Sequence, residues 1–170
     1  MSLTIRPADV ADVPTIRELI EGLADYERLR HECHATDVQL RETLFGERPV
    51  AEVLIAEWEG VSAGFALFFH NYSTFLARPG LYLEDLFVRP EHRGRGIGKA
   101  LLTTLASLAV ARGCGRLEWS VLDWNVDAIR FYERLGARPQ SDWTVYRVTG
   151  DALVDLAQNA NGEGAHVWTE

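Results

Sequence analysis

The sequence predicts a mixed α/β domain built on one central sheet. Strand-type segments alternate with segments of helical spacing, and the dipeptide Glu59-Gly60 predicts a tight turn between two strands. A mostly apolar run that contains one pair of carboxylates then leads through a glycine-rich turn into a long helix. With 170 residues, 47% of them hydrophobic, the chain is long enough for one compact domain, which we place at 3–157, with a C-terminal tail at 158–170.

The first half contains a strand, two helices and a hairpin. The strand covers residues 3–7, and the following helix begins at a cap on Asp9 or Asp12 and keeps its apolar spacing to Leu23. A second helix is predicted from Thr36 to Phe45, with Gly46 at its stop position. The hairpin strands cover 50–58 and 61–69 and should pair antiparallel.

The second half contains two strand-helix pairs and a final strand. A loop with Pro79 and Gly80 precedes a buried strand at 81–88, and an amphipathic helix spans 96–112. A strand at 117–122 and a helix at 127–135, with Gly136 as its stop, form the next pair. A strand at 143–148 and a short helix at 151–157 complete the order β-α-α-β-β-β-α-β-α-β, and the end at 165–169 could pair with another subunit.

Composition limits the classes of partner. A net charge of -8 leaves little basic surface, so no nucleic-acid partner is expected, whereas a cationic partner would be attracted weakly. Cys33 and Cys114 lie far apart, and the sequence shows neither a signal peptide nor an apolar run of about 18 residues. We therefore expect a cytoplasmic protein with free thiols and no membrane partner.

The most informative motif is Arg93-Gly94-Arg95-Gly96-Ile97-Gly98, which lies between a buried strand and a long helix. Glycines allow positive φ angles and close backbone approach, so successive N–H groups at a helix N-terminus can bind an anion such as a pyrophosphate. A plain glycine-rich turn is the alternative, but basic residues cluster here in an acidic chain. Lys99 and Ala100 exclude the dinucleotide and Walker A patterns.

With this hexapeptide, the chain resembles the GNAT superfamily of acetyl-CoA-dependent N-acetyltransferases, over residues 3 to about 157. Several further segments of the chain resemble the spermidine/spermine branch of this superfamily, which includes acetyltransferases of thialysine and other diamines. These are 82–88, Trp124-Asn125, Phe131-Tyr132 and Gly136-Ala137. The resemblance implies a mostly antiparallel sheet that splays between strands four and five and is flanked by helices, and a homodimer with active sites near the subunit interface.

The resemblance also implies how acetyl-CoA, the co-substrate, is bound. Backbone groups of Leu86, Phe87 and Val88 would hold the pantetheine arm and polarise the acetyl carbonyl. The pyrophosphate would be held by the loop residues Arg93, Gly94, Arg95, Gly96, Ile97, Gly98 and Lys99. Asn125 would contact the cofactor arm, although a helix cap near Asp127 is its alternative role.

Two residues are expected to move protons. Tyr132 would protonate the departing thiolate, a role that a tyrosine hydroxyl can perform, with core packing beside Phe131 as the alternative. Glu84 and Asp85 are neighbours on a strand, so their side chains should point to opposite faces and only one should touch the substrate. By resemblance we choose Glu84, which would bind the substrate ammonium and accept its proton through water. A carboxylate satisfied by backbone or arginine is the alternative.

Further substrate contacts follow from the resemblance. Tyr26 and Glu27 correspond to the branch's acidic and aromatic residues that hold a polyamine, Asp85 is a further candidate, and Trp143 resembles a family tryptophan in an altered local sequence. His31 and His34 could hold a metal with Cys33 or Glu32, but a solvated polar loop is favoured and no metal is predicted.

The sequence therefore predicts an enzyme that transfers an acetyl group from acetyl-CoA to a primary amine of a small cationic molecule, by direct attack in a ternary complex. A polyamine, a diamine or a thialysine-like compound would be the acceptor. Two alternatives stay open: acetylation of another amine (an aminoglycoside, an amino acid or a protein N-terminus), and a non-catalytic sensor that binds acyl-CoA.

Overall fold

The computed structural model describes residues 2–159, and the predicted pairing segment at 165–169 and most of the tail lie outside them. The chain divides between Leu122 and Asp123 into two compact units. None of the described helices is long and apolar enough to cross a membrane.

The first unit is a five-stranded sheet in the order β1-β2-β3-β4-β5. The strands are β1 (Leu3–Pro7), β2 (Glu52–Trp58), β3 (Val61–Ser73), β4 (Arg78–Val88) and β5 (Leu117–Trp119). The first four pair antiparallel, and β5 pairs parallel with β4. The sheet is therefore mixed and mostly antiparallel, which confirms the predicted fold class.

Helices cover both faces of this sheet. One face packs against α1 (Val13–Tyr26) and α2 (Asp37–Phe45), and α3 (Ile97–Ala111) contacts the sheet through its own apolar side. Four consecutive residues of β2, from Val53 to Ala56, are buried, but only Val53 and Ile55 belong to the cluster with α1. Because successive side chains alternate between faces, this continuous burial means that both faces of the central strands are covered.

Local signals set the helix starts. Asp9 caps a turn of 3-10 helix at Val10–Asp12 by accepting from the Ala11 N–H at 2.8 Å, and α1 follows at Val13. Thr36 caps α2 in a reciprocal arrangement with Gln39, as its position before Asp37 predicts. Arg28, with φ of +62°, lies just beyond the end of α1.

The strand β4 begins earlier than the sequence predicted. Pro79 and Gly80 were expected in a loop, but the β3–β4 pairing continues to Ser73 and Arg78. Gly80 allows this because a Cβ there would collide with the side-chain oxygen of Asn71, which lies directly opposite. The Pro79 carbonyl accepts from the Gly115 N–H at 2.9 Å, so the backbone of Pro79 is directed away from β3. Its missing N–H therefore removes no hydrogen bond between β3 and β4.

The sheet opens between its last two strands. β4 pairs with β5 only from Leu81 to Leu83, opposite Leu117 to Trp119, while β4 itself continues to Val88. This short pairing is the splay that the resemblance implied. β5 also ends at Trp119, three residues before the predicted end.

The second unit contains α4 (Val126–Arg134) and α5 (Gly150–Asn159). Gly136 takes φ of +92° just beyond α4, at its predicted stop position. The strand predicted at 143–148 is wrong: these residues belong to no sheet in the described chain. The segment is rich in aromatic and β-branched residues, but a strand also needs the edge of another strand to satisfy its backbone.

Candidate active site

The glycine-rich loop forms a cradle of open N–H groups. Gly94 and Gly96 have φ of +76° and +78°, angles at which an L side chain would be strained. The N–H of Ala100 donates to the Gly96 carbonyl at 3.0 Å, whereas in the described chain no acceptor is found for the N–H groups of Gly94 to Lys99. Six consecutive donors at the start of α3 make this loop suitable for a pyrophosphate.

A second row of open backbone groups lies on β4. The Arg89 N–H donates to the Ala63 carbonyl of β3 at 2.8 Å, so by antiparallel alternation Phe87 also turns its backbone toward β3. Leu86 and Val88 then direct their N–H and C=O groups to the opposite side, where β5 has ended. The Val88 carbonyl accepts from the Arg93 Nε at 3.0 Å, so the groups that fit a backbone-binding role are those of Leu86 and the Val88 N–H.

Phe87 differs from the expectation for it. Its side chain is only 6% exposed and packs in the core cluster of α1, where a Cβ on Gly22 would lie 2.9 Å from the ring. With its backbone directed at β3, Phe87 holds the strand in place and contributes no open backbone group.

A β-bulge separates the two neighbouring carboxylates. Leu67 of β3 pairs with Asp85, but Phe68 pairs with Leu83, so Glu84 is an extra residue with no partner opposite. A regular strand would turn Glu84 and Asp85 to opposite faces. The bulge interrupts that alternation at Glu84. Glu84 is exposed, whereas Asp85 is half-buried and lines the adjacent cleft.

The cleft beside α1 has a volume of about 340 Å³ and brings Asp85 together with Glu27. Its apolar wall comes from α1 and its rim from the segment that follows. The other lining residues are Ile20, Leu23, Ala24, Leu29, Glu32, Cys33, His34 and Ala35. Glu32, Cys33 and His34 were assigned to a solvated loop, and the polar, irregular run between two helices was the only signal that could have placed them here.

Burial raises the pKa values of both acids in the cleft. Loss of solvent raises the pKa of Asp85 to about 7, with further contributions from the charges of Glu84 and Glu27. Loss of solvent also raises the pKa of Glu27. The ion pairs found among the described residues include neither acid. The cleft is thus acidic, and within residues 2–159 no side-chain cation is paired with these two groups.

Two arginines of the loop stack on aromatic rings. The Arg93 guanidinium lies 4.7 Å from the centroid of the Tyr26 ring, and its Nε donates to the Val88 carbonyl at 3.0 Å. The Arg95 guanidinium lies 5.2 Å from the centroid of the Trp58 ring. The loop side chains are therefore held against the body of the first unit.

Three predicted site residues lie in the second unit. The Asn125 side chain accepts from the Ala128 N–H at 3.3 Å and caps α4, which is the alternative that the sequence left open. Tyr132 is half-buried on α4, with its ring 5.5 Å from that of Phe131. Trp143 is 79% exposed.

The histidine segment does not form a recognisable metal centre. His31 lies 3.5 Å from Glu32, and both side chains are strongly exposed. Within residues 2–159, no group of three or more His, Cys, Asp or Glu side chains is arranged to hold a metal ion.

Comparison with known proteins places this geometry in a family. The model of the Acetyltransferase (GNAT) family matches residues 16–137, which include the cleft, the open strand and the glycine loop. The chain belongs to this family. It is therefore an acetyltransferase, and acetyl-CoA is the acetyl donor that the family implies.

Individual relatives agree with this assignment. The L-ornithine N5-acetyltransferase NATA1 of Arabidopsis thaliana is 39% identical, over 88% of this chain and 85% of that protein. The thialysine N-epsilon-acetyltransferase of Sus scrofa is 38% identical, over 92% and 98%. Among solved structures, an integron cassette protein from V. cholerae has a TM-score of 0.79 and 28% identity, covering 93% of this chain and 99% of that chain.

The raised pKa of Asp85 predicts how stability depends on pH. An unfolded aspartate has a pKa of about 3.9. Between that value and about 7 the folded state keeps a proton that the unfolded state has lost, so Asp85 lowers stability progressively as pH rises through this window. We expect Asp85→Asn to raise the free energy of unfolding at pH 8 by about 2 kcal/mol and to change it little at pH 4.

Urea unfolding of both proteins at the two pH values measures this difference. Glu42→Gln, which removes an exposed carboxylate from α2, controls for the loss of one negative charge. An Asp85→Asn effect of the same size at pH 4 and pH 8 would contradict the assignment.

Proposed function

We propose that this acetyltransferase transfers the acetyl group of acetyl-CoA to a primary amine of a small cationic molecule, such as a polyamine, a diamine or a thialysine-like amino acid. The observation that carries the proposal is the acidic cleft. Glu27 and Asp85 lose solvent there, and no ion pair in the described part of the chain includes them, which is costly unless a ligand supplies the positive charge.

The open backbone groups suit the donor. The N–H groups of Gly94 to Lys99 would hold the pyrophosphate, and the backbone of Leu86 and Val88 would hold the pantetheine arm and polarise the acetyl carbonyl. When bound, acetyl-CoA supplies an acetyl group activated as a thioester. Asp85 directly precedes Leu86, so a cation in the cleft would lie beside this backbone row.

The chemistry needs two proton transfers. The amine nitrogen forms a bond to the acetyl carbon, the carbon–sulfur bond breaks, the nitrogen loses a proton and the thiolate gains one. Glu84, exposed on the bulge, would accept the amine proton through water, and Tyr132 would supply the thiol proton. Asn125 would contact the cofactor arm in addition to capping α4.

The names of the relatives support an amine of this kind. One acts on the N5 of ornithine and another on the ε-nitrogen of thialysine, both terminal amines of small cationic compounds. Tyr26 and Trp143 remain proposed substrate contacts. The homodimer and the cytoplasmic location remain predictions.

The acceptor class is tested by thiol release from acetyl-CoA with spermidine, spermine, putrescine, thialysine, ornithine, lysine and an aminoglycoside. We expect rapid acetylation of a polyamine, diamine or diamino acid, with the product identified by mass spectrometry. Turnover on the aminoglycoside alone would reject the proposed acceptor class, and CoA binding without turnover on any amine would favour the sensor.

Tyr132→Phe is expected to lower kcat by about 100-fold and leave CoA affinity unchanged, because only the proton donated to the thiolate is lost. Tyr146→Phe is the matched control, since Tyr146 is 92% exposed in the same unit. Steady-state kinetics and CoA titration check both. Unchanged turnover in Tyr132→Phe would remove this residue from the mechanism.

Glu84→Gln is expected to remove the acidic limb of the kcat/KM profile against pH and to lower the maximum by about 100-fold. Asp85→Asn should instead act mainly on the KM for the amine, since Asp85 lines the cleft. The comparison uses full pH profiles of both variants. If Glu84→Gln keeps the profile of the wild type, the proton is accepted elsewhere.

A further inference from the structure

The Arg93 side chain connects the open edge of β4 to the end of α1. Its Nε donates to the Val88 carbonyl at 3.0 Å, one of the backbone groups that β5 leaves unpaired. Its guanidinium lies over two rings, 4.7 Å from the centroid of Tyr26 on α1 and 5.7 Å from that of Phe87 on β4. Arg93 therefore closes the gap between these two elements.

The contact of Arg93 with Tyr26 lies next to the acceptor cleft in the chain, because the following residue, Glu27, lines that cleft. Tyr26 is the last residue of α1, and the Glu27 N–H still donates to the Leu23 carbonyl at 2.9 Å, so Glu27 belongs to the same final turn. Helix ends fray readily, and the next residue, Arg28, leaves the helix with a positive φ. A ring held at Tyr26 restrains the turn that directs Glu27 into the cleft.

The same contacts separate Arg93 from the rest of its loop. The Arg93 N–H donates to the Pro90 carbonyl at 3.2 Å, so it is not one of the open donors that begin at Gly94. Its Nε is taken by Val88, and the face of the guanidinium is taken by the rings. A bidentate grip on a phosphate would compete with this arrangement.

We propose that Arg93 is a positioning residue for the acceptor amine, which it affects by holding Tyr26 and the last turn of α1, rather than a ligand of the pyrophosphate. The inference rests on the proposed function, because it assigns Arg93 to the same cleft. It predicts that losing Arg93 weakens amine binding and spares CoA binding.

The experiment measures the affinities of the full chain for CoA and for spermidine by calorimetry, and the KM for each substrate. Arg93→Met should weaken spermidine binding and raise the amine KM by roughly five- to tenfold, with CoA affinity within about threefold of the wild type. Arg93→Lys should weaken spermidine binding and raise the amine KM to a similar extent, because lysine keeps the charge but loses the planar group and the bond to Val88. Arg41→Met, at an exposed position of α2, controls for the substitution.

A double mutant tests whether Arg93 acts through Tyr26. Tyr26→Leu should weaken the amine at least as much as Arg93→Met, and the combination should be no weaker than Tyr26→Leu alone. Unchanged thermal melting of all variants would exclude loss of folding as the cause.

Three outcomes would overturn the inference: CoA affinity at least tenfold weaker in Arg93→Met with the amine KM unchanged, additive effects of the two substitutions, or no spermidine binding by the wild type. The last leaves the proposed function standing if the thiol-release assay shows acetylation of a diamine or a diamino acid. A wild type that binds both ligands and acetylates no amine overturns the proposed function alone, because the binding comparison still decides the role of Arg93.

Discussion

The organisation of the first unit depends on the point at which β5 stops pairing with β4. Pairing ends at Leu83 and Trp119, and β4 continues for five residues with one side of its backbone open. Unpaired backbone groups are costly when they lose water, so this edge needs a partner. Arg93 satisfies the Val88 carbonyl from the side, and the backbone groups of Leu86 on the same edge have no strand opposite.

The acidic cleft follows from the same strand. The bulge at Glu84 shifts the alternation of β4 and aligns Asp85 with Leu67, on the face that packs against α1. There Asp85 meets Glu27 at the end of that helix. Arginines pair with acids elsewhere in the unit, as in Arg6 with Asp12 and Arg112 with Glu52, but no described arginine forms an ion pair with these two. Binding of an ammonium there, as proposed, would lower the cost of desolvating the two acids and would couple the stability of the fold to the ligand.

Much of this could be predicted from local sequence signals. The caps at Asp9 and Thr36, the turn at Glu59-Gly60, the stop at Gly136 and the loop from Arg93 to Gly98 each act over a few residues. The pairing of strands depends on residues far apart in the chain, and the sequence predicts it less well. Neither the extension of β4 to Arg78 nor the lack of a strand partner for 143–148 within residues 2–159 can be read from one segment, because each depends on which strand edge is available.

The sequence by itself determined the family, the mixed sheet and the anion-binding loop, because these are encoded by apolar spacing and by glycines whose conformational freedom is a local property. Only the tertiary structure decided that Asp85 lies in the cleft with Glu27, that Phe87 is a core residue and that Arg93 lies over Tyr26. A single-residue bulge changes which side chains share a face, and no local sequence pattern predicts its position. Desolvation likewise arises only when separate elements pack together, so the perturbed pKa of Asp85 is a property of the fold.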